Sequence, residues 1–175
     1  MESLFSSAVH VDASPVQVFD YLAAVERHTE WSGSVQFGLD YVEVLTPGPI
    51  AVGTRFRSTG RNATGKPNQD LSEIAVLDRP ARVGWDTTFR LGPARARFSH
   101  RYYLAAEDGA TRLTYAIEKA ESLNRVGSLF LFILKTFKRR EGEQVALSGL
   151  NAFKLAAERE ARQVGQPAEQ STPTQ

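Results

Sequence analysis

SLNRVGSLFLFILKTFKRREGEQVALSGLNAFKLAAEREAR, residues 122–162, is the stretch from which the fold is read. Val126, Leu129, Phe130, Ile133, Leu134 and Phe137 recur at i, i+3, i+4 and i+7, the spacing that gathers side chains on one face of a helix. Residues 138–144 interrupt that stripe, and Gly142 weakens a helix by about 1 kcal/mol relative to Ala. A kink or a division into two helical pieces is expected there. Leu147, Leu150, Phe153 and Ala157 then resume the apolar face. So long a stripe has to be buried, and the alternating segments that precede it are its natural partner.

Those segments read as strands at residues 4–11, 35–45, 54–59, 71–77, 82–91, 96–104 and 111–119, with residues 60–68 as a polar loop. Between the first two, Ser14 is placed to cap a helix whose first position is Pro15, where the missing N–H costs nothing. Val18, Phe19, Leu22 and Val25 give that helix an inner face, and Trp31 is expected to plug one end of the core. Residues 96–104 alternate most clearly: Ala96, Phe98, His100, Tyr102 and Leu104 share one face, Arg95, Arg97 and Arg101 the other. Leu113, Tyr115 and Ile117 are the inward set of the last strand. Asp86 is expected to balance the outward arginines.

The composition narrows the function classes. The chain has 175 residues, 42% hydrophobic and 23% charged, with a formal net charge of +1. One domain over residues 1–164 is expected, followed by a polar, disordered tail at 165–175. A near-neutral charge gives no field for nucleic acid. There is no cysteine, which excludes disulfides and thiolate chemistry. His10, His28 and His100 are scattered and lack metal-ligand spacing, so neither metal nor cofactor is expected. Residues 60–66 match the start of a phosphate-binding loop, but Pro67 stands where its Ser or Thr belongs and a strand follows. Residues 62–64 match a glycosylation sequon; the first residues lack the basic and apolar regions of a secretion signal, so a cytoplasmic protein is expected.

Taken in order, strand, capped helix, antiparallel strands and long terminal helix resemble the helix-grip fold of the START-like or SRPBCC superfamily, polyketide cyclase/dehydrase branch. The resemblance is carried by residues 9–19 with Asp12-Ala13-Ser14-Pro15, by Trp31, and by Gly53-Thr54-Arg55-Phe56. Pro80 with Trp85, residues 98–104, residues 109–114 and residues 150–158 complete it. It implies an α+β domain: a curved antiparallel sheet of six to seven strands wrapped around the C-terminal helix. It further implies an internal cavity for a hydrophobic or aromatic small molecule or lipid, with no universal catalytic residue.

Within that frame Phe56, Trp85, Thr87, Phe89, Phe98, His100, Tyr102 and Tyr115 are the candidate ligand-binding residues of the sheet. Phe130, Leu134 and Phe137 are those of the helix. Alternatively the same rings simply fill a core. His100 lies on the inward face, where burial keeps it neutral. If the chain is an enzyme of the cyclase, aromatase or dehydratase type, His100 and Tyr102 are its candidate catalytic residues. A third possibility is a membrane surface: residues 129–134 are apolar nearly all round, with Leu131 and Phe132 off the main stripe, and Lys135, Lys138, Arg139 and Arg140 follow directly. Ligand identity and oligomeric state are not written in these patterns.

Overall fold

A computed structural model describes residues 3–32, 38–61 and 65–165. The expected start of the second strand at residues 35–37, the sequon at 62–64 and most of the expected tail, 166–175, lie outside them.

Strand β1 (Phe5–Val11) leads into α1 (Pro15–Ala23), a 3-10 turn at Val25–His28 and the short α2 (Thr29–Ser32). Six strands follow: β2 (Leu39–Val44), β3 (Arg55–Arg61), β4 (Pro67–Asp78), β5 (Arg82–Leu91), β6 (Ala94–Glu107) and β7 (Ala110–Ser122). Two helices close the chain, α3 (Arg125–Phe137) and α4 (Arg139–Gly165). The seven strands form one sheet in the order β1-β7-β6-β5-β4-β3-β2, every neighbouring pair antiparallel. The sheet curves around α4, as the sequence predicts.

Local chemistry sets the start of α1. Ser14 Oγ accepts from the Gln17 N–H at 3.4 Å while the Ser14 N–H donates to Gln17 Oε1 at 3.0 Å. This is a complete capping box, with Pro15 in the first turn. Val18, Phe19, Leu22 and Val25 are all buried. The corner after β1 is tied to α4: the Asp12 N–H donates to Glu158 Oε1 at 2.8 Å, and Thr111 Oγ1 donates to the Ala13 carbonyl at 2.7 Å. Arg27 joins Glu30 to Glu160 on α4 through bonds of 2.8–2.9 Å.

Helix α4 buries Ala146, Leu150, Phe153, Ala156 and Ala157. Phe153 is fully buried, its ring 5.3 Å from Trp31 and 5.6 Å from Tyr21. Trp31 therefore does close the core, and it does so against α4. Leu147, expected on the same stripe, is 42% exposed. Gly142 does not break the helix. Its bare Cα lets the Phe5 ring of β1 come close, since a Cβ there would lie 2.9 Å from that ring. The division into two helices falls at Lys138, within the expected residues 138–144, where the Lys138 N–H caps α3 on the Leu134 carbonyl at 3.2 Å.

The orientation of α3 departs from the sequence reading. Asn124 Oδ1 accepts from the N–H groups of Gly127 and Arg95, at 2.8 and 3.2 Å, and its Nδ2 donates to the Pro93 carbonyl at 2.7 Å. This clamp presses the helix start onto β6 so closely that a Cβ on Gly127 would sit 2.1 Å from the Arg95 carbonyl oxygen. The roll of α3 is thereby set with Gly127, Leu131 and Leu134 toward the sheet. Leu131, expected off the stripe, is the buried leucine. Val126, Leu129, Ile133 and Phe137, expected on the buried stripe, face outward with Phe132, each between 43% and 71% exposed. Phe137 is thus not part of the interior.

Candidate functional site

The inner face of the sheet carries a row of rings. Trp85 is directly across from His100 in the β5–β6 register, and Tyr102 is across from Tyr115 on β7. Trp85 lies 6.0 Å from His100, 5.1 Å from Tyr102 and 6.1 Å from Phe56; Tyr102 lies 4.8 Å from Tyr115. His28, at the end of the 3-10 turn, packs between the two tryptophans at 5.1 Å from Trp31 and 5.0 Å from Trp85. A second group of rings sits under α3: Phe89 is 6.0 Å from Phe98 and stacks on Phe130 at 5.8 Å. The predicted residues Phe56, Trp85, Thr87, Phe89, Phe98, His100, Tyr102, Tyr115, Phe130 and Leu134 accordingly share one interior. Neighbouring rings of that interior lie 4.8–6.1 Å apart, centroid to centroid. Two hollows of about 190 and 220 Å³ lie elsewhere, one lined by Arg55, Glu73, Asp86 and Arg97, the other by Leu4, Glu118, Lys135 and Arg139.

Polar groups run through this apolar frame. His100 Nδ1 and the Tyr115 hydroxyl are 2.7 Å apart. Neutral imidazole has one donor and one acceptor nitrogen, so whichever role Nδ1 takes, Nε2 keeps the other. Neither that Nε2 nor the Tyr102 hydroxyl has a hydrogen-bond partner among the described residues. Burial holds the His100 pKa down to about 4, with the Arg101 charge acting in the same direction. His28 is held down to about 4 by burial, against the pull of its 2.9 Å bond from Nε2 to the Leu22 carbonyl. Burial also raises both tyrosines, Tyr102 and Tyr115. On the reverse face Arg101 pairs with Asp86 at 2.9 Å, as expected of the outward arginines.

One end of the inner face is polar in a way the sequence reading missed. Ser72 Oγ and Thr87 Oγ1 are 2.8 Å apart and buried. Two residues before Ser72 on the same face of β4, Asp70 stands across from Ser58 of β3. Asn68 Nδ2 donates to Asp70 Oδ2 at 3.0 Å, but Asp70 Oδ1 is buried with no hydrogen-bond partner among the described residues. Burial raises the Asp70 pKa to about 6, against the Asn68 bond. A buried carboxylate oxygen without a partner is rare in a native interior and calls for a cause. The available signal was the alternation Asn68, Asp70, Ser72, Ile74, which the polar look of Pro67-Asn68 obscured.

Asp70 should cost the resting protein stability at neutral pH. Its folded pKa lies above the unfolded value of 3.8, so the cost grows as the pH rises from about 4 and is complete above about 6. Asp70→Asn is expected to raise unfolding free energy at pH 7.5 by on the order of 1–3 kcal/mol, with no gain at pH 4. Urea midpoints at the two pH values check this; an equal effect at both would remove the assignment of a strained charge.

No protein-family profile matches the chain, and no curated protein matches it by sequence. Solved structures match its shape. The di-domain ARO/CYC StfQ from the steffimycin biosynthetic pathway superposes with a TM-score of 0.66 at 12% identity, over 90% of this chain and 51% of that one. The di-domain ARO/CYC BexL from the BE-7585A pathway gives 0.63 at 18% identity, over 93% and 50%. Ara h 8.0201 gives 0.60 at 15% identity, over 87% and 95%. The fold is the helix grip. Helix-grip architecture accounts for the shared interior described above and for the position of α4 against it, and it bears out the resemblance read from the sequence at the level of fold. The chain spans about half of each di-domain protein, so it corresponds to one of their two domains in size.

Proposed function

We propose that this helix-grip protein binds a hydrophobic or aromatic small molecule, or a lipid, between the sheet and its C-terminal helices. One observation carries the reading: Asp70 Oδ1, which is buried, and His100 Nε2 and the Tyr102 hydroxyl, beside the ring row, have no hydrogen-bond partner among the described residues. A ligand would supply the missing hydrogen bonds at its polar end, with Thr87 alongside, and bury its apolar part along Phe56, Trp85, Phe89, Phe98 and Phe130. Each Å² of apolar surface taken from water adds about 25 cal/mol.

Native mass spectrometry of the full chain purified from its own cells tests this directly, with a titration of anilinonaphthalene sulfonate as the probe. A retained small molecule or saturable dye binding is expected. His100→Ala and Tyr102→Phe should each weaken retention about three- to tenfold, the range of a single hydrogen bond. No bound mass and no saturable dye binding would end the proposal, and unchanged affinity in both variants would end the orienting role.

A second reading is a polyketide-type cyclase, aromatase or dehydratase using the same interior. It is favoured by the 2.7 Å His100–Tyr115 contact together with the likeness to the two ARO/CYC proteins. Holding a flexible chain folded would supply most of the catalysis, with His100 moving protons and Tyr102 donating to a carbonyl. A ring held near 4 takes up a proton poorly at neutral pH, which is why binding is our first reading. A pH–rate profile with a histidine limb would favour the enzyme, and its absence would count against it.

A further inference from the structure

We propose that the outward face of α3, with the basic residues at its C-terminal end, docks on an anionic lipid surface. The observation is the roll of α3 imposed by the Asn124 clamp. The side turned away from the sheet is the more apolar one, carrying Val126, Leu129, Phe132, Ile133 and Phe137 as exposed residues. A protein surface rarely concentrates five large apolar side chains on one helix face without a partner for them. Between Glu121 and Glu141 the chain contains no acidic residue and five basic ones: Arg125, Lys135, Lys138, Arg139 and Arg140. Lys138 and Arg139 pair with Glu141 and Glu143, at 2.5 and 3.2 Å, on the α4 side. Arg125, Lys135 and Arg140 have no carboxylate partner among the described residues.

Charge decides between the possible occupants. In a symmetric pairing of two copies through this face, the same cationic cluster would meet itself. A neutral apolar partner would leave that cluster unused. An anionic lipid surface satisfies both features at once, taking the rings and leucines into the acyl boundary and the cations among the headgroups. No helix among the described residues is long and apolar enough to cross a membrane. The 13 residues of α3 extend about 20 Å, short of a bilayer core of about 30 Å. The helix therefore lies in the interface plane. Its opposite side holds Phe130 against Phe89, so the same element would touch the lipid and cover the interior. The proposal stands on the outer face alone and does not depend on what the interior holds.

Flotation of the full chain with phosphatidylcholine vesicles, and with phosphatidylcholine mixed with phosphatidylglycerol, tests it. Binding is expected to the anionic vesicles and to fall as salt is raised. Lys135→Glu with Arg140→Glu should weaken it by about fivefold or more per charge. Phe132→Ser with Phe137→Ser should abolish flotation while the circular dichroism and thermal midpoint stay as in the parent, since both rings are exposed. Leu155→Ser, an exposed leucine on α4, should leave binding unchanged. Failure to float on anionic vesicles at low salt overturns the proposal. So does equal binding to neutral vesicles with no effect of the charge reversals. A dimer in solution that Phe132→Ser disperses, without lipid binding, would overturn it in favour of a second copy.

Discussion

Phe153→Ala is expected to lower the unfolding free energy by about 3–5 kcal/mol, the cost of emptying a fully buried phenylalanine site. Nothing near the ring can readily collapse into the space. Trp31 meets it edge-on at 5.3 Å, Tyr21 lies at 5.6 Å, and the Tyr21 hydroxyl is held by Glu30 at 2.8 Å. Phe153→Leu keeps most of the volume and should cost much less, about 1–2 kcal/mol. The damage should not stay local. Trp31 also packs on His28, which packs on Trp85, so loosening Trp31 loosens the ring row of the candidate site. Urea unfolding of the two variants, with dye binding measured on each, checks both parts. A loss below about 1 kcal/mol for the alanine variant would mean that α4 is not gripped as described.

Acid is expected to destabilise the protein by on the order of 4 kcal/mol between pH 7 and pH 4, and the sign follows from three interior groups. His28 and His100 both have folded pKa values near 4, below the unfolded value of about 6.5. The unfolded chain therefore binds the extra protons in that window. The stabilisation from keeping each ring neutral is full above pH 6.5 and is lost as the pH falls toward 4, roughly 3.5 kcal/mol per ring. Asp70 works in the opposite direction. Its folded value of about 6 lies above the unfolded 3.8, so acidification returns roughly 3 kcal/mol over nearly the same range. Two losses and one gain leave unfolding coupled to uptake of about one proton. Urea midpoints from pH 7.5 to 4 measure that slope. His28→Gln, which keeps a donor for the Leu22 carbonyl, should be less stable at pH 7 yet show a slope about one proton smaller. A flat profile in the parent, or an unchanged slope in the variant, would contradict the buried neutral histidine.

What could be read from the sequence divides along the range of the interactions. The α1 start was legible because Ser14 and Pro15 act within one turn. The faces of β6 were legible because period-two alternation needs no knowledge of the neighbouring strands, and His100, Tyr102 and Phe98 point inward as that pattern says. The orientation of α3 was not legible. A helix that is apolar nearly all round has no strong preferred face of its own, and Asn124 and Gly127 choose one through backbone groups of Pro93 and Arg95, about thirty positions away. Asp70 was hidden for a different reason. A proline is tolerated as the first residue of a strand, so Pro67-Asn68 looks like the end of a loop while β4 has already begun. The division of the terminal helix was legible as well, since it falls at Lys138 within residues 138–144; the part played by Gly142, which is helical and admits the ring of Phe5, was not.

The placement of His28 between the only two tryptophans of the chain has an optical consequence. Indole emission is quenched when an imidazole in ring contact becomes protonated, and here both emitters share one imidazole neighbour, while Trp85 also stacks on His100. The native fluorescence of this protein should therefore report charge at its centre without any label, dimming as the pH falls toward 4 and those rings take up protons.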